Sequence, residues 1–130
     1  EAVPGLQGRI VLIVDDDAMV RGAYAAALGR AGASTLTASN AAEATRQVER
    51  VDAAVVDWRL AEPGDGFQAI EQMRTLRPRL AAVMVTADTG DAIAELAQRH
   101  GVALLRKPVD MGTLARALLA AMDGGVLPQR

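Results

Sequence analysis

Five short apolar runs alternate along this chain with five segments of helical period, and few folds accommodate that order. The runs are residues 10–14, 34–38, 53–56, 82–86 and 102–106. Most are continuously apolar, as strands covered on both faces are, whereas 34–38 alternates polar and apolar residues and suits a sheet edge. Helical stretches are expected over residues 18–30, 41–50, 67–76 and 91–100, with a fifth after Asp110. In the first, Val20, Ala23, Tyr24, Ala27 and Leu28 form one stripe, and Gly32 follows its end. Ser39–Asn40 precedes the second, with Glu43 placed for a capping box. Asp17 and Asp110 are the expected N-caps of the first and fifth helices. Right-handed crossovers leave few arrangements of five such units. The expectation is an α/β fold, a flavodoxin-like (βα)5 three-layer sandwich with a parallel five-stranded sheet of order 2-1-3-4-5.

Composition fits one such domain. The chain has 130 residues, 51% of them hydrophobic and 23% charged, enough for a single core and too few for two. Only three residues are aromatic, Tyr24, Trp58 and Phe67, so the core must be built from Ala, Val, Leu, Ile and Met. A net charge of -2 without a Lys/Arg run lacks the footprint of a nucleic-acid binder. The absence of cysteine excludes thiolate metal sites and Cys nucleophiles. No membrane-spanning run or signal-peptide pattern is seen, and the expected location is cytoplasmic. Residues 1–8 read as linker, 9–123 as the folded domain and 124–130 as a C-terminal tail.

Ligands of open α/β sheets bind beyond the carboxyl ends of the strands, so the residues closing each run bear on function. Strand one ends in Asp15, Asp16 and Asp17, strand three in Asp57, strand four in Thr86, and strand five in Lys107–Pro108, a bond suited to a cis turn. An unpaired buried carboxylate costs several kcal/mol, so Asp57, closing an apolar run, needs solvent, a cation, or both. Strands one and three are neighbours in the expected order, which gathers Asp15, Asp16 and Asp57. Two carboxylates about 4 Å apart repel by about 4 kcal/mol at an effective dielectric near 20, so the cluster calls for a cation. A hard divalent ion with oxygen ligands, Mg²⁺, fits better than a metal requiring His or Cys. With Lys107 as a second positive charge and the Thr86 hydroxyl as a donor, the pattern suits a phosphoryl group taken by Asp57 as an acyl phosphate. His100 is read as a complement to the fourth helix's C-terminus.

Four motifs in order, the 10–14 run with Asp15–Asp16 and Arg21, "VVD" ending at Asp57, "VTA" holding Thr86, and Lys107–Pro108, make the chain resemble the receiver domains of two-component response regulators over Arg9 to Met122. The resemblance implies that Asp57 accepts a phosphoryl group from a histidine kinase or histidine phosphotransfer protein. It further implies Mg²⁺ held directly by Asp16 and Asp57, through water by Asp15, and by the backbone carbonyl of Arg59, with Thr86 and Lys107 on the phosphoryl oxygens. It departs from the family in lacking a Met-Pro pair after Asp57, where "LAEPGDG" has Leu60–Ala61 and delays proline to Pro63, and in carrying Leu104 where many receivers have an aromatic switch residue. Arg59 and Asp88 occupy positions that tune dephosphorylation in the family; an Arg59–Asp88 pair that shields the acyl phosphate is one expectation, and two unpaired surface residues are the equal alternative. "DWRL" and the Gly-rich loop also resemble receivers fused to hybrid histidine kinases.

Two other classes compete. Asp15 and Asp17 form a D-x-D like that of aspartate-nucleophile phosphatases, but Met19 stands where that family expects Thr or Val. A docking module without phosphorylation would show a broken acidic pocket. Homodimerisation through helix four, strand five and helix five is a further expectation, while a core-facing stripe explains Leu114 and Leu118 equally.

Overall fold

The computed structural model describes residues 2–60 and 64–124. Ala61 and Pro63 of the altered loop lie outside the described residues, as does the tail after Gly124. In chain order the elements are β1 (Ile10–Val14), α1 (Ala18–Arg30), β2 (Ser34–Ala38), α2 (Ala41–Gln47), β3 (Ala53–Asp57), α3 (Gly66–Leu76), β4 (Ala81–Thr86), α4 (Asp91–His100), β5 (Ala103–Arg106) and α5 (Met111–Met122). All strand pairs are parallel, in the order β2-β1-β3-β4-β5. The polar-apolar alternation of β2 does mark an edge.

Successive strand residues point to opposite faces, and this alternation divides the core in two. Leu12, Val14, Ala54, Val56, Ala82 and Met84 pack with Ala44 of α2, Ile70 and Met73 of α3, and Ile93 and Ala97 of α4. Val11, Ile13, Val55, Val83 and Val85 pack with Leu28 of α1 and with Leu114 and Leu118 of α5. The last two are fully buried, so a homodimer face on this side of the molecule has to use other residues.

Helix boundaries follow local chemistry. The Asp17 side chain accepts hydrogen bonds from the Met19 and Val20 N–H groups, Asn40 from Glu43, Asp65 from Gln68 and Asp110 from Thr113. The Asp65–Gln68 pair is a reciprocal capping box that sequence reading missed. In α1 the stripe is narrower than expected: Leu28 is buried and Tyr24 half-buried, but Ala23 faces solvent. The expected second helix ends at Gln47, and residues 48–50 form a tighter 3₁₀ turn.

Glu43 reaches back to Ser39 rather than Asn40, accepting from its N–H at 2.7 Å and from its hydroxyl at 3.0 Å. The Ser39 N–H, then its hydroxyl, holds the Glu43 carboxyl below its ordinary value of 4.5. A carboxyl ionising lower in the folded state stabilises fully above its unfolded value, and that contribution is lost as pH falls through the folded one. Glu43→Gln should therefore flatten the loss of stability below pH 4.5, read as urea midpoint against pH. Parallel profiles for the two chains would reject this.

The segment read as linker is packed on the domain from Val3 onward. The Val3 N–H donates to the Ala31 carbonyl at 2.8 Å and the Gly8 N–H to the Gly32 carbonyl at 3.2 Å. Leu6 is fully buried in the core formed with α1 and α5. Leu6→Ala should cost about 2–5 kcal/mol, the range for an emptied leucine site. An unchanged denaturation midpoint would show that this segment contributes nothing to the fold.

Candidate functional site

The two-residue period that divides the core also aims the site. Asp15 continues the phase of Val11 and Ile13, Asp57 that of Ala53 and Val55, and Lys107 that of Ala103 and Leu105, all toward the α1/α5 side. Backbone pairing extends past the strand ends: the Asp15 N–H donates to the Ala38 carbonyl at 3.1 Å, Trp58 to Val85 at 2.9 Å and Lys107 to Thr86 at 2.7 Å. The Lys107–Pro108 bond is cis. Gly66 abuts the end of β3, where a Cβ would collide with the Asp57 carbonyl oxygen and lie 2.9 Å from Met84 Sδ. That close approach admits no larger residue at the start of α3.

Carboxylate oxygens of Asp15, Asp16 and Asp57 lie within 4.8 Å of one another. The three differ in exposure: Asp15 is 3% exposed, Asp57 partly covered and Asp16 open to solvent. Lys107 Nζ is 3.0 Å from Asp57 Oδ1. Thr86 is buried at the end of β4. The side chains singled out at the ends of β1, β3 and β5 therefore meet at the carboxyl end of the sheet, and Thr86 closes the intervening strand β4.

Asp15 Oδ1 accepts the Asp17 N–H at 2.9 Å, and Arg21 Nη1 donates to the Asp15 carbonyl at 2.7 Å. Burial raises the Asp15 pKa above 3.8; the Asp17 N–H opposes this, Asp57 adds to it, and Lys107 opposes it. For Lys107, burial pulls the ammonium down, but the hydrogen bond and charge of Asp57, with Asp15, outweigh it and raise the pKa above 10.5. Among the described residues no cation lies within 4.0 Å of the Asp15 carboxylate. A buried carboxylate beside two others, all with hard oxygen donors, fits a divalent ion such as Mg²⁺. No hydrogen-bond donor among the described residues reaches the Arg59 carbonyl, the remaining expected ligand.

By its spacing Tyr24 belongs to a helical stripe. The structure places it with Ile13, Asp15, Val55, Asp57 and Val85 around a small void. Burial raises its phenol pKa, Lys107 lowers it, and Asp15 and Asp57 raise it, so it senses all three charges. Its position four residues before Leu28 signals a core-facing site and nothing of this neighbourhood.

Asp17 and His100 stand where they are expected, and the Arg59–Asp88 pair is the expectation that needs correction. Asp17 caps α1, which removes it from any D-x-D pair of reacting carboxylates. Arg59 is exposed and makes no ion pair with Asp88 among the described residues. The Asp88 carboxylate accepts the Gly90 N–H at 2.7 Å, and its carbonyl accepts Arg106 Nη1. His100 stacks on Phe67 with centroids 4.9 Å apart and has Nδ1 3.9 Å from Glu71. It is the last residue of α4, at the opposite end of that helix from the β4–α4 loop.

Comparison with known proteins agrees with this geometry. The response regulator receiver domain model matches residues 11–119. The chain is 35% identical over 123 residues to the photosynthetic apparatus regulatory protein RegA of Rhodobacter capsulatus, covering 92% of this chain and 65% of RegA. It is 33% identical over 141 residues to Ethylene receptor 4 of Oryza sativa subsp. indica, covering 93% of this chain and 18% of the receptor. The chain thus spans less than two thirds of either relative's length. Among solved structures, a response regulator receiver domain protein from Clostridium thermocellum superposes with a TM-score of 0.81 at 25% identity, covering 88% of this chain and 94% of that one. The signal receiver domain of a modulated diguanylate cyclase from Desulfovibrio desulfuricans G20 gives a TM-score of 0.80 at 26% identity, with 90% and 95% covered. With its strand order, acidic edge and family match in agreement, the chain belongs to the response regulator receiver domains of two-component signalling.

Proposed function

We propose that Asp57 is the phosphoacceptor, taking a phosphoryl group from the phosphohistidine of a histidine kinase or histidine phosphotransfer protein. The observation that carries this reading is the 3.0 Å contact of Lys107 Nζ with Asp57 Oδ1 beside two further carboxylates. A carboxylate oxygen of Asp57 attacks phosphorus; the O–P bond forms as the N–P bond breaks, and the bonding pair returns to the imidazole. Lys107 stays beside the acceptor and takes up charge on the phosphoryl oxygens. The Thr86 hydroxyl, which accepts the Asp88 N–H at 2.9 Å, keeps its own proton to donate. Asp15, Asp16, Asp57 and the Arg59 carbonyl would hold Mg²⁺, which supplies positive charge against the carboxylates and the phosphoryl group.

A receiver domain is not a dedicated enzyme; the reading here adds Mg²⁺-dependent self-phosphorylation from small donors and slow self-dephosphorylation. Similarity to a short part of Ethylene receptor 4 supports attachment to a larger sensor of the hybrid-kinase kind. Among the described residues no helix is long and apolar enough to cross a membrane, and a cytoplasmic setting is part of the reading. The net charge of -2 argues against direct nucleic-acid contact. A homodimer through α4, β5 and α5 would use the half-buried Leu104 and Leu105 of the edge strand rather than Leu114 and Leu118. The test is mass spectrometry after incubation with acetyl phosphate and Mg²⁺: the adduct is expected on Asp57, and an adduct mapped to Asp15 would overturn the assignment.

A further inference from the structure

A cleft of about 280 Å³ lies at the amino ends of β4 and β5, the end of the sheet away from the acidic cluster. Ala81 and Ala103, the first residues of the two strands, line it with Ala82 and with Ala121 of α5. Five strand steps of about 3.3 Å put Ala81 about 16 Å from Thr86, so the cleft is separate from the phosphoacceptor edge. Three basic side chains, Arg74, Arg79 and His100, share the lining, and among the described residues no Asp or Glu does. This runs against the net charge of the chain, which is -2.

Arg74, half-buried near the end of α3, is clamped by backbone. Its Nε and Nη2 donate to the Leu80 carbonyl at 3.3 and 2.9 Å, its Nη1 to the His100 carbonyl at 2.5 Å, and its Nη2 to the Gly101 carbonyl at 3.5 Å. One N–H on Nη1 is left over. The clamp accounts for the other N–H groups but not for the charge, because carbonyls are neutral. Among the described residues no carboxylate lies within 4.0 Å of the guanidinium. Burial draws its pKa below the ordinary arginine value. A half-buried cation without a counter-ion gains stability from an anion that reaches it.

We propose that this cleft binds a small organic carboxylate, with its oxygens between Arg74 and Arg79 and its apolar part against Ala81, Ala82 and Ala103. The remaining Arg74 N–H supplies one charge-assisted hydrogen bond, and the exposed Arg79 brings a planar fork that matches a carboxylate. His100 contributes less, because its Nδ1 already faces Glu71 at 3.9 Å. A phosphate group, with close to two charges and about three acceptor oxygens, asks for more donors than the cleft has left. The volume falls just below the roughly 300–1,000 Å³ of pockets for drug-sized ligands, which suits a body of only a few carbons. The site needs no Mg²⁺, and the inference stands independently of the role of Asp57.

Titration of the full chain with sodium butyrate, in Mg²⁺-free buffer of fixed ionic strength, tests this through amide chemical shifts. Shifts at Gly101, Val102 and Ala103 should saturate with a dissociation constant of about 1 mM, within reach of so small a ligand. Butyramide, of the same shape but uncharged, should bind about tenfold more weakly or not at all. Arg79→Glu places a like charge at an exposed position and should weaken butyrate about tenfold or more with the fold intact, while Arg79→Lys should keep most of the affinity. Arg74→Gln should remove saturable binding; its urea midpoint is followed alongside, and should that variant unfold, the Arg79 pair decides. Absence of saturable shifts up to about twentyfold above the expected constant overturns the proposal. Equal affinity for butyramide, or undiminished butyrate binding by Arg79→Glu, overturns it as well. Tighter binding of inorganic phosphate than of butyrate at the same amides overturns the carboxylate assignment.

Discussion

An Asp57→Asn chain incubated with acetyl phosphate and Mg²⁺ is expected to acquire no phosphoryl group. The amide oxygen preserves the shape of the side chain and still accepts from Lys107, which sits 3.0 Å from Oδ1, but it is not a competent nucleophile. The substitution thus removes the chemistry and keeps the local hydrogen bond, so loss of labelling cannot be blamed on a collapsed site. It also removes one of three clustered negative charges. Contact repulsion between two carboxylates, about 4 kcal/mol at an effective dielectric of 20, is an upper bound for these unequally exposed groups. A stability gain of about 1 kcal/mol is the expected sign and size. Mg²⁺ at ten times its dissociation constant should stabilise the wild type by about 1.4 kcal/mol, and this increment should shrink by more than half in the variant. An adduct retained on the variant, or an undiminished Mg²⁺ effect, would place the chemistry elsewhere.

Lys107→Ala should slow phosphorylation by acetyl phosphate by about 10²–10³-fold, the usual loss when a preorganised charge-stabilising group is removed from a reacting centre. Lys107 contacts Asp57 itself, and the neighbouring carboxylates hold its pKa above 10.5 against burial, so it is charged throughout the neutral range. Without it the acidic edge retains only the divalent ion to balance the acceptor, and tight Mg²⁺ binding should persist while the phosphoryl rate falls. Lys107→Arg keeps the charge on a planar, longer head and should recover part of the rate. A Lys107→Ala rate within twofold of the wild type would mean that the ammonium serves only as a structural counter-ion.

Much of this was legible in the sequence because the determinants are local. Periodicity separated strands from helices, Asp17, Asn40 and Asp110 announced helix starts, and the alternating run at 34–38 identified an edge strand. The residues closing the apolar runs named the acidic edge because parallel strands put all their carboxyl ends on one side. The misses have physical causes too. Ala23 fits a helical stripe by spacing, but only packing decides which of two adjacent apolar rows faces the sheet. The opening "EAVPGLQG" has the turn residues of a linker, and nothing in it shows that Leu6 finds a buried place between α1 and α5. Position alone suggests the Arg59–Asp88 pair; in the fold the Gly90 N–H occupies the Asp88 carboxylate and the Arg106 guanidinium its carbonyl.

The sequence by itself determined the element order, the parallel sheet and the identity of the charged groups at its edge, because hydrophobic period and strand polarity are properties of short stretches of chain. Tertiary structure alone decided which of those groups touch: that Lys107 reaches Asp57, that Tyr24 shares a small void with Asp15 and Asp57, and that Asp88 joins Thr86 to Arg106. Those contacts depend on register and side-chain direction between strands far apart in sequence, and a one-residue slip in either would turn the same side chains to the opposite face.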